Sequence, residues 1–380
     1  MARARLDSLT GVRFLAALTV LLGHSTVVTG QRWNWFMNFG GTAVSCFFVL
    51  SGMVLAWSCL GMGAREFYRR RVARIYPTYL VALVFAWLVT SWLGWSTQWR
   101  SWIAMVTLTQ CWFPHASQLT AMLTPAWSLS DEAFFYLCFP LLAALVARMS
   151  RPGRQWLALG CFGWTIAMTW LLISHSAQNG NSTYWLCYMF PPSRMPEFVL
   201  GIIAALELRD GLRVPGWAPL GAFGLALIVR FEVLGTSWTE PYTPFVVLGL
   251  LWLGSRDLLD ARSFLRSPAM LALGAWSYAM YLFHFPLYQA ALESAEKLTF
   301  VLNGHGGYRQ SPEAVFLIGH RWVLVVLAIV LTVVLCRELY VYFEAPLERR
   351  FKRSLRSRDP GLRQAKALKP VPLVRETSDS

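Results

Sequence analysis

Four groups of residues in this chain have the types and spacing of a reaction site. The first is Arg13 and His24, in the otherwise apolar run from Gly11 to Ser25. His24 lies eleven positions after Arg13. On a helix that is almost three whole turns, so both point the same way, roughly 16 Å apart along the axis. An imidazole takes up and returns a proton near neutral pH, and a guanidinium fork holds anions. In a bilayer an ionisable side chain is costly and mostly faces a polar cavity. The pair therefore suits general-base chemistry with an anionic substrate held at the rim. A structural hydrogen bond between helices is the plainer alternative for His24.

The second group runs from Arg69 to Pro77. Arg71 and Arg74 are three apart and share a helix face, as a phosphate site needs. Arg69 is accounted for by a positively charged cytoplasmic loop. The third runs from Pro125 to Tyr136. Ser128 or Ser130 and Asp131 read as the cap and first turn of a helix. Glu132 is the functional candidate there, placed to orient or recharge a buried imidazole. In the fourth, Ser277, Tyr281 and His284 fall at i, i+4 and i+7 on one face. Such a stripe lines a cavity or holds helices together. His284 is a second catalytic candidate, with interhelical hydrogen bonding its plainer role. Arg194 and Glu197 have the spacing of an intramembrane ion pair, and Glu344-Ala-Pro346 is a smaller signal. The seven cysteines form no CxxC and no metal-type spacing, and there is no Gly-rich phosphate loop or nucleophile elbow. Neither a metal nor a tightly bound cofactor is expected.

The elements that must position these groups are membrane helices. Of 380 residues, 56% are hydrophobic and only 14% charged, where a soluble domain carries about a quarter charged. Several of the 19 Trp (Trp33, Trp35, Trp92, Trp95, Trp99) fall at predicted span ends, as an interfacial belt would place them. The net charge of +14 does not indicate nucleic acid, because the cations sit at loop ends and in the tail. Residues 349–380 alone hold ten Lys/Arg against three Asp/Glu, half the net charge. The basic, then apolar N-terminus is read as a retained first span rather than a cleaved signal.

Hydropathy predicts an all-α polytopic membrane protein with about ten transmembrane helices, near 10–29, 41–60, 75–95, 129–149, 155–173, 194–208, 215–230, 242–255, 268–291 and 317–343. Residues 101–113 are apolar but too short to span. Residues 174–193 read as an external loop with Asn-Gly and Pro-Pro turn signals. With the N-terminus cytoplasmic, the loops on that side hold Arg65, Arg69, Arg70, Arg71 and Arg74; Arg148, Arg151 and Arg154; Arg209 and Arg213; and Arg256, Arg262 and Arg266. The opposite side holds only Arg32, Arg100, Arg230, Lys297 and Arg309. Both termini are then cytoplasmic. The predicted organisation is one membrane domain, 1–350, and a basic, disordered tail, 351–380.

In order, these pieces resemble acyltransferase family 3, integral membrane enzymes that move acyl groups to hydroxyls. The resemblance runs from about Leu6 to Phe351. It rests on Leu6 to Arg13 with His24, Phe47 to Gly52, Arg71 to Pro77, Trp127 to Glu132 with Phe135 and Tyr136, Arg194 to Phe198, Ser277 to His284 with Pro286, and Glu344 to Pro346. Where members often carry two glutamates, Ala133 follows Glu132 here. The resemblance implies acyl-CoA as co-substrate, entering from the cytoplasm with its phosphates on Arg13, Arg71 and Arg74. It implies His24 as general base, Glu132 setting its tautomer or charge, and a sugar, surface glycan or macrolide-like hydroxyl as acceptor. The expected location is a bacterial plasma membrane. The competing class is a transporter or exporter of a small acylated anion, with the same residues lining its path.

Overall fold

The computed structural model describes residues 5–30, 39–114, 122–229, 242–298, 300–302, 308–310, 316 and 319–357. Arg32, Trp33, Trp35, Arg230 and the tail from residue 358 lie outside them, as do the side chains of Lys297 and Arg309.

A helix stands at each of the ten predicted places: α1 (Asp7–His24), α2 (Phe39–Cys59), α3 (Ala64–Trp92), α4 (Trp127–Arg148), α5 (Arg151–Tyr184), α6 (Pro191–Arg209), α7 (Trp217–Ile228), α8 (Thr243–Leu258), α9 (Pro268–Leu298) and α10 (Arg321–Leu339). A π-helical turn, Tyr340–Glu344, leads into α11 (Ala345–Ser357). The described strands are one short antiparallel hairpin, Phe300–Leu302 with Tyr308–Gln310. Among the described residues, six helical segments are long and apolar enough to cross a membrane: Asp7–Thr29, Phe39–Cys59, Ala64–Trp92, Thr124–Arg148, Arg151–His175 and Arg321–Phe351. The chain is a multi-pass membrane protein.

Several boundaries differ from the hydropathy pattern. α3 begins at Ala64, well before residue 75, because Arg is a good helix former and Arg70 pairs with Glu66 one turn back. α5 runs on to Tyr184 through Asn179 and Gly180, so the predicted loop at 174–193 is helical over its first half. Pro191 and Pro192 start α6 instead of breaking a loop, since the first helical turn has no N–H to lose. At the other end α11 passes the predicted boundary at 350/351 and continues to Ser357.

α2 and α6 are in backbone contact. A Cβ on Gly52 would lie 2.0 Å from the Phe198 carbonyl, and one on Gly201 2.0 Å from that of Val49. Such small-residue seams replace the hydrophobic drive that lipid cannot supply. α1 meets α9 the same way, with Gly274 against the Thr10 carbonyl. The foot of α1 is held from α8. Asp257 accepts from the Ser8 N–H at 2.8 Å and from its hydroxyl at 2.6 Å, placing a carboxylate at the positive end of the helix. The short helix Trp99–Val106 packs between α3 and α4. Its carbonyls accept from Tyr76 and Tyr79 at 2.7 Å, and the Leu108 carbonyl accepts from Ser130 at 2.7 Å. These contacts fix α1, α3, α4 and α9 around a common space.

Candidate active site

That space is a cavity of about 370 Å³. Arg13 of α1, Arg71 and Arg74 of α3, Glu132 and Tyr136 of α4, Tyr278 and Tyr281 of α9, and Glu344 and Glu348 from the α10–α11 junction all line it. The three arginines stand in different surroundings. Arg13 forms no hydrogen bond or ion pair among the described residues. The Nε of Arg71 is buried without a hydrogen-bond partner, and its guanidinium lies 5.9 Å from the centre of the Phe67 ring. Arg74 is more exposed and meets Glu348 at 3.4 Å.

Three carboxylates share the cavity with them. Glu132 accepts from the Tyr136 hydroxyl at 3.1 Å, and Tyr136 accepts from Ser51 at 3.2 Å. Glu132 is within electrostatic reach of both Arg13 and Arg71. Glu344 sits on the π-turn, where Thr78 bonds it while its buried Oε1 has no partner. A π-turn re-aims side chains within a helix and is frequent at functional sites.

The inner wall is Ser128 and Tyr281, whose hydroxyls lie 2.8 Å apart. One layer beyond, the Tyr281 ring centre is 6.1 Å from that of His284. His284 Nε2 is 2.9 Å from His24 Nδ1, and the two ring planes differ by 17°. His284 Nδ1 is 3.1 Å from the Met280 carbonyl oxygen, one turn back on α9. His24 is half-buried, and its Nε2 has no partner among the described residues. The arrangement offers a proton acceptor behind a cavity that holds cations.

Arg13, Arg71, Arg74, Glu132 and Tyr281 thus share one cavity, while His24 and His284 form a pair behind its wall. Glu132 and His24 are not bonded to each other; their hydrogen-bond partners are Tyr136 and His284. Arg194 and Glu197 pair at 3.1 Å in a separate buried cluster, where Arg194 donates to Ser45 at 2.9 Å and lies 4.8 Å from the Tyr188 ring centre. The capping reading of α4 does not hold. Ser128 and Ser130 bond Tyr281 and Leu108 across helices, and both oxygens of the fully buried Asp131 lack a partner. Glu348 is absent from the sequence-based expectations, and Tyr136 enters them only as part of the resemblance, with no role given. Tyr136 stands one helical turn from Glu132, a spacing that favours contact. Glu348 is an acid within a run of arginines.

Fold and site together define an integral membrane protein whose polar cavity stops one side chain, Tyr281, short of a histidine pair. The family model described as an acyltransferase domain matches residues 6–339. The chain belongs to acyltransferase family 3 and is an acyl-transferring enzyme. It is 35% identical to Acyltransferase MdmB of Streptomyces mycarofaciens over 308 residues, 74% of this chain and 78% of that protein. It is 24% identical to Nodulation protein 10 of Rhizobium leguminosarum bv. viciae over 314 residues, 72% of this chain and 80% of the relative. It is 22% identical to O-acetyltransferase OatA of Staphylococcus aureus over 378 residues, 91% of this chain but 57% of OatA. No solved structure matches it. Family membership favours the transferase over the transporter reading.

Proposed function

We propose that the protein moves an acetyl or other short acyl group from acyl-CoA to a hydroxyl of a carbohydrate, a cell-surface glycan or a secondary metabolite such as a macrolide. One observation carries the reading: a cavity with two guanidinium groups lacking an ion pair, Arg13 and Arg71, ends one side chain short of the histidine pair. The O-acetyl transfer named for OatA supports a hydroxyl acceptor. Charge asymmetry supports ten spans with both termini and the arginine end facing the cytoplasm, and the bacterial relatives support a bacterial plasma membrane.

In this reading the CoA phosphates take charge-assisted bonds from Arg13, Arg71 and Arg74, and Glu348 gives up Arg74 to them. Glu132 balances Arg13 and Arg71 when the cavity is empty. The uncharged pantetheine arm reaches toward Tyr281, which must turn away from Ser128 for the thioester to meet His24. His24 Nε2 takes the hydroxyl proton. The oxygen attacks the thioester carbonyl, the C–S bond breaks, and the proton passes to the leaving thiolate. The products are an ester and free CoA thiol.

The test measures thiol release in membranes given acetyl-CoA and a panel of hydroxyl acceptors. A positioned general base contributes roughly 10²–10⁴-fold, so His24→Ala at matched expression is expected to lose that much. Activity near wild type would remove His24 from the chemistry.

A further inference from the structure

Resting on that reading, we infer that His284 is a positioning residue: it holds His24 as the Nδ1–H tautomer, with Nε2 free to act, and shares the proton that His24 takes up. The argument is one of donors and acceptors. A carbonyl oxygen only accepts, so the 3.1 Å contact with Met280 puts a hydrogen on His284 Nδ1. In neutral His284, Nε2 then carries a lone pair and no hydrogen. His24 Nδ1, 2.9 Å away, must therefore donate to it. A neutral imidazole has one N–H, so His24 Nε2 is left as the acceptor. That nitrogen has no partner among the described residues.

The same geometry handles the proton afterwards. When Nε2 of His24 takes a proton from a hydroxyl, both of its nitrogens carry hydrogen. The Nδ1 proton can then pass along the 2.9 Å contact to His284 Nε2. His284 becomes a donor at both nitrogens, still to Met280 on one side and now to His24 on the other. Return to the leaving thiolate runs the steps backwards, so no proton is gained or lost. In many enzymes a carboxylate orients a catalytic or metal-bound imidazole. Aromatic side chains stand around this pair. Phe285 stands edge-on to His24 at 5.4 Å, and Tyr288 edge-on to His284 at 5.8 Å, its own hydroxyl bonded to the Leu21 carbonyl. The cavity carboxylate Glu132 is bonded to Tyr136 instead. His284 takes the orienting place.

The experiment compares His284→Phe with His284→Gln. Glutamine offers a carbonyl oxygen to the His24 Nδ1–H but no second proton site, and phenylalanine offers neither. Loss of an orienting partner typically costs about 10–100-fold. His284→Phe is expected to lower kcat by about that factor with the KM for acyl-CoA unchanged, because the arginine end of the cavity is untouched. His284→Gln is expected to fall between it and the wild type. If the Phe variant does not accumulate in membranes, His284→Met takes its place. Wild-type kcat in the Phe variant, or Gln and Phe variants equally impaired, overturns the inference. The double variant His24→Ala/His284→Phe should be no slower than His24→Ala alone, since the pair acts as a unit. Full activity in His24→Ala sinks the functional reading itself. An inactive His24→Ala beside an unaffected His284→Phe sinks only the role of His284.

Discussion

Arg71 and Arg74 face one cavity from one turn of α3, yet they are not equivalent. Arg71 keeps a buried N–H with no partner, whereas Arg74 is exposed and already meets Glu348. A hydrogen bond to a charged group is worth about 1.5–3 kcal/mol, and an exposed ion pair about 0.2–1 kcal/mol. Arg71→Ala should therefore raise the KM for acyl-CoA roughly tenfold or more, and Arg74→Ala only a few-fold. Initial-rate measurements on membranes decide this. An unchanged KM in the double variant would leave both arginines as topology signals. At this scale the sequence was partly legible. An imidazole in an apolar run is conspicuous, and the eleven-residue step predicts a shared face for Arg13 and His24. The bond between His24 and His284 was not legible, because it joins residues 260 positions apart and no local pattern encodes that. Asp131 misled for the opposite reason: the local capping rule fits its position, but tertiary packing buried it instead.

Between elements, contact depends on glycine. The seam of α2 and α6 leaves no room for a methyl group at Gly201, whose added Cβ would stand 2.0 Å from the Val49 carbonyl and 2.8 Å from the Met53 amide nitrogen. Gly201→Ala is expected to destabilise the fold by about 1–3 kcal/mol, read as a lower midpoint of thermal inactivation in detergent. Gly221→Ala on α7, where a Cβ meets open space, is the control and should be neutral or slightly stabilising. Equal behaviour of the two would argue against the seam. Hydropathy located α1 to α10 but not α11, and it misjudged several ends. It registers the apolar stretch of a helix, and it cannot see where arginine-rich turns continue one, as at Ala64 and beyond Ala345. The close approach of α2 and α6 was equally hidden, since a glycine in a membrane helix signals neither its neighbour nor the distance.

For the whole molecule, the unequal distribution of loop cations is the basis of the proposed orientation, which labelling can test. Single cysteines introduced as Arg65→Cys, before the apolar part of α3, and Trp95→Cys, just after it, should lie on opposite faces. In a background lacking the native cysteines, an impermeant maleimide added to intact cells should label only the Trp95→Cys variant. Labelling of both, or of the Arg65→Cys variant alone, would overturn the proposed orientation and with it the proposed cytoplasmic entry of the donor. The architecture also has a consequence for biogenesis. His24 leaves the ribosome 260 residues before His284, and Arg74 waits still longer for Glu348, 274 residues on. At roughly 5–20 residues per second, that is an interval of roughly 10–60 s. Through that interval the nascent chain carries an unmatched imidazole and unmatched cations, so its earliest helices must be kept from wrong partners until the last ones insert.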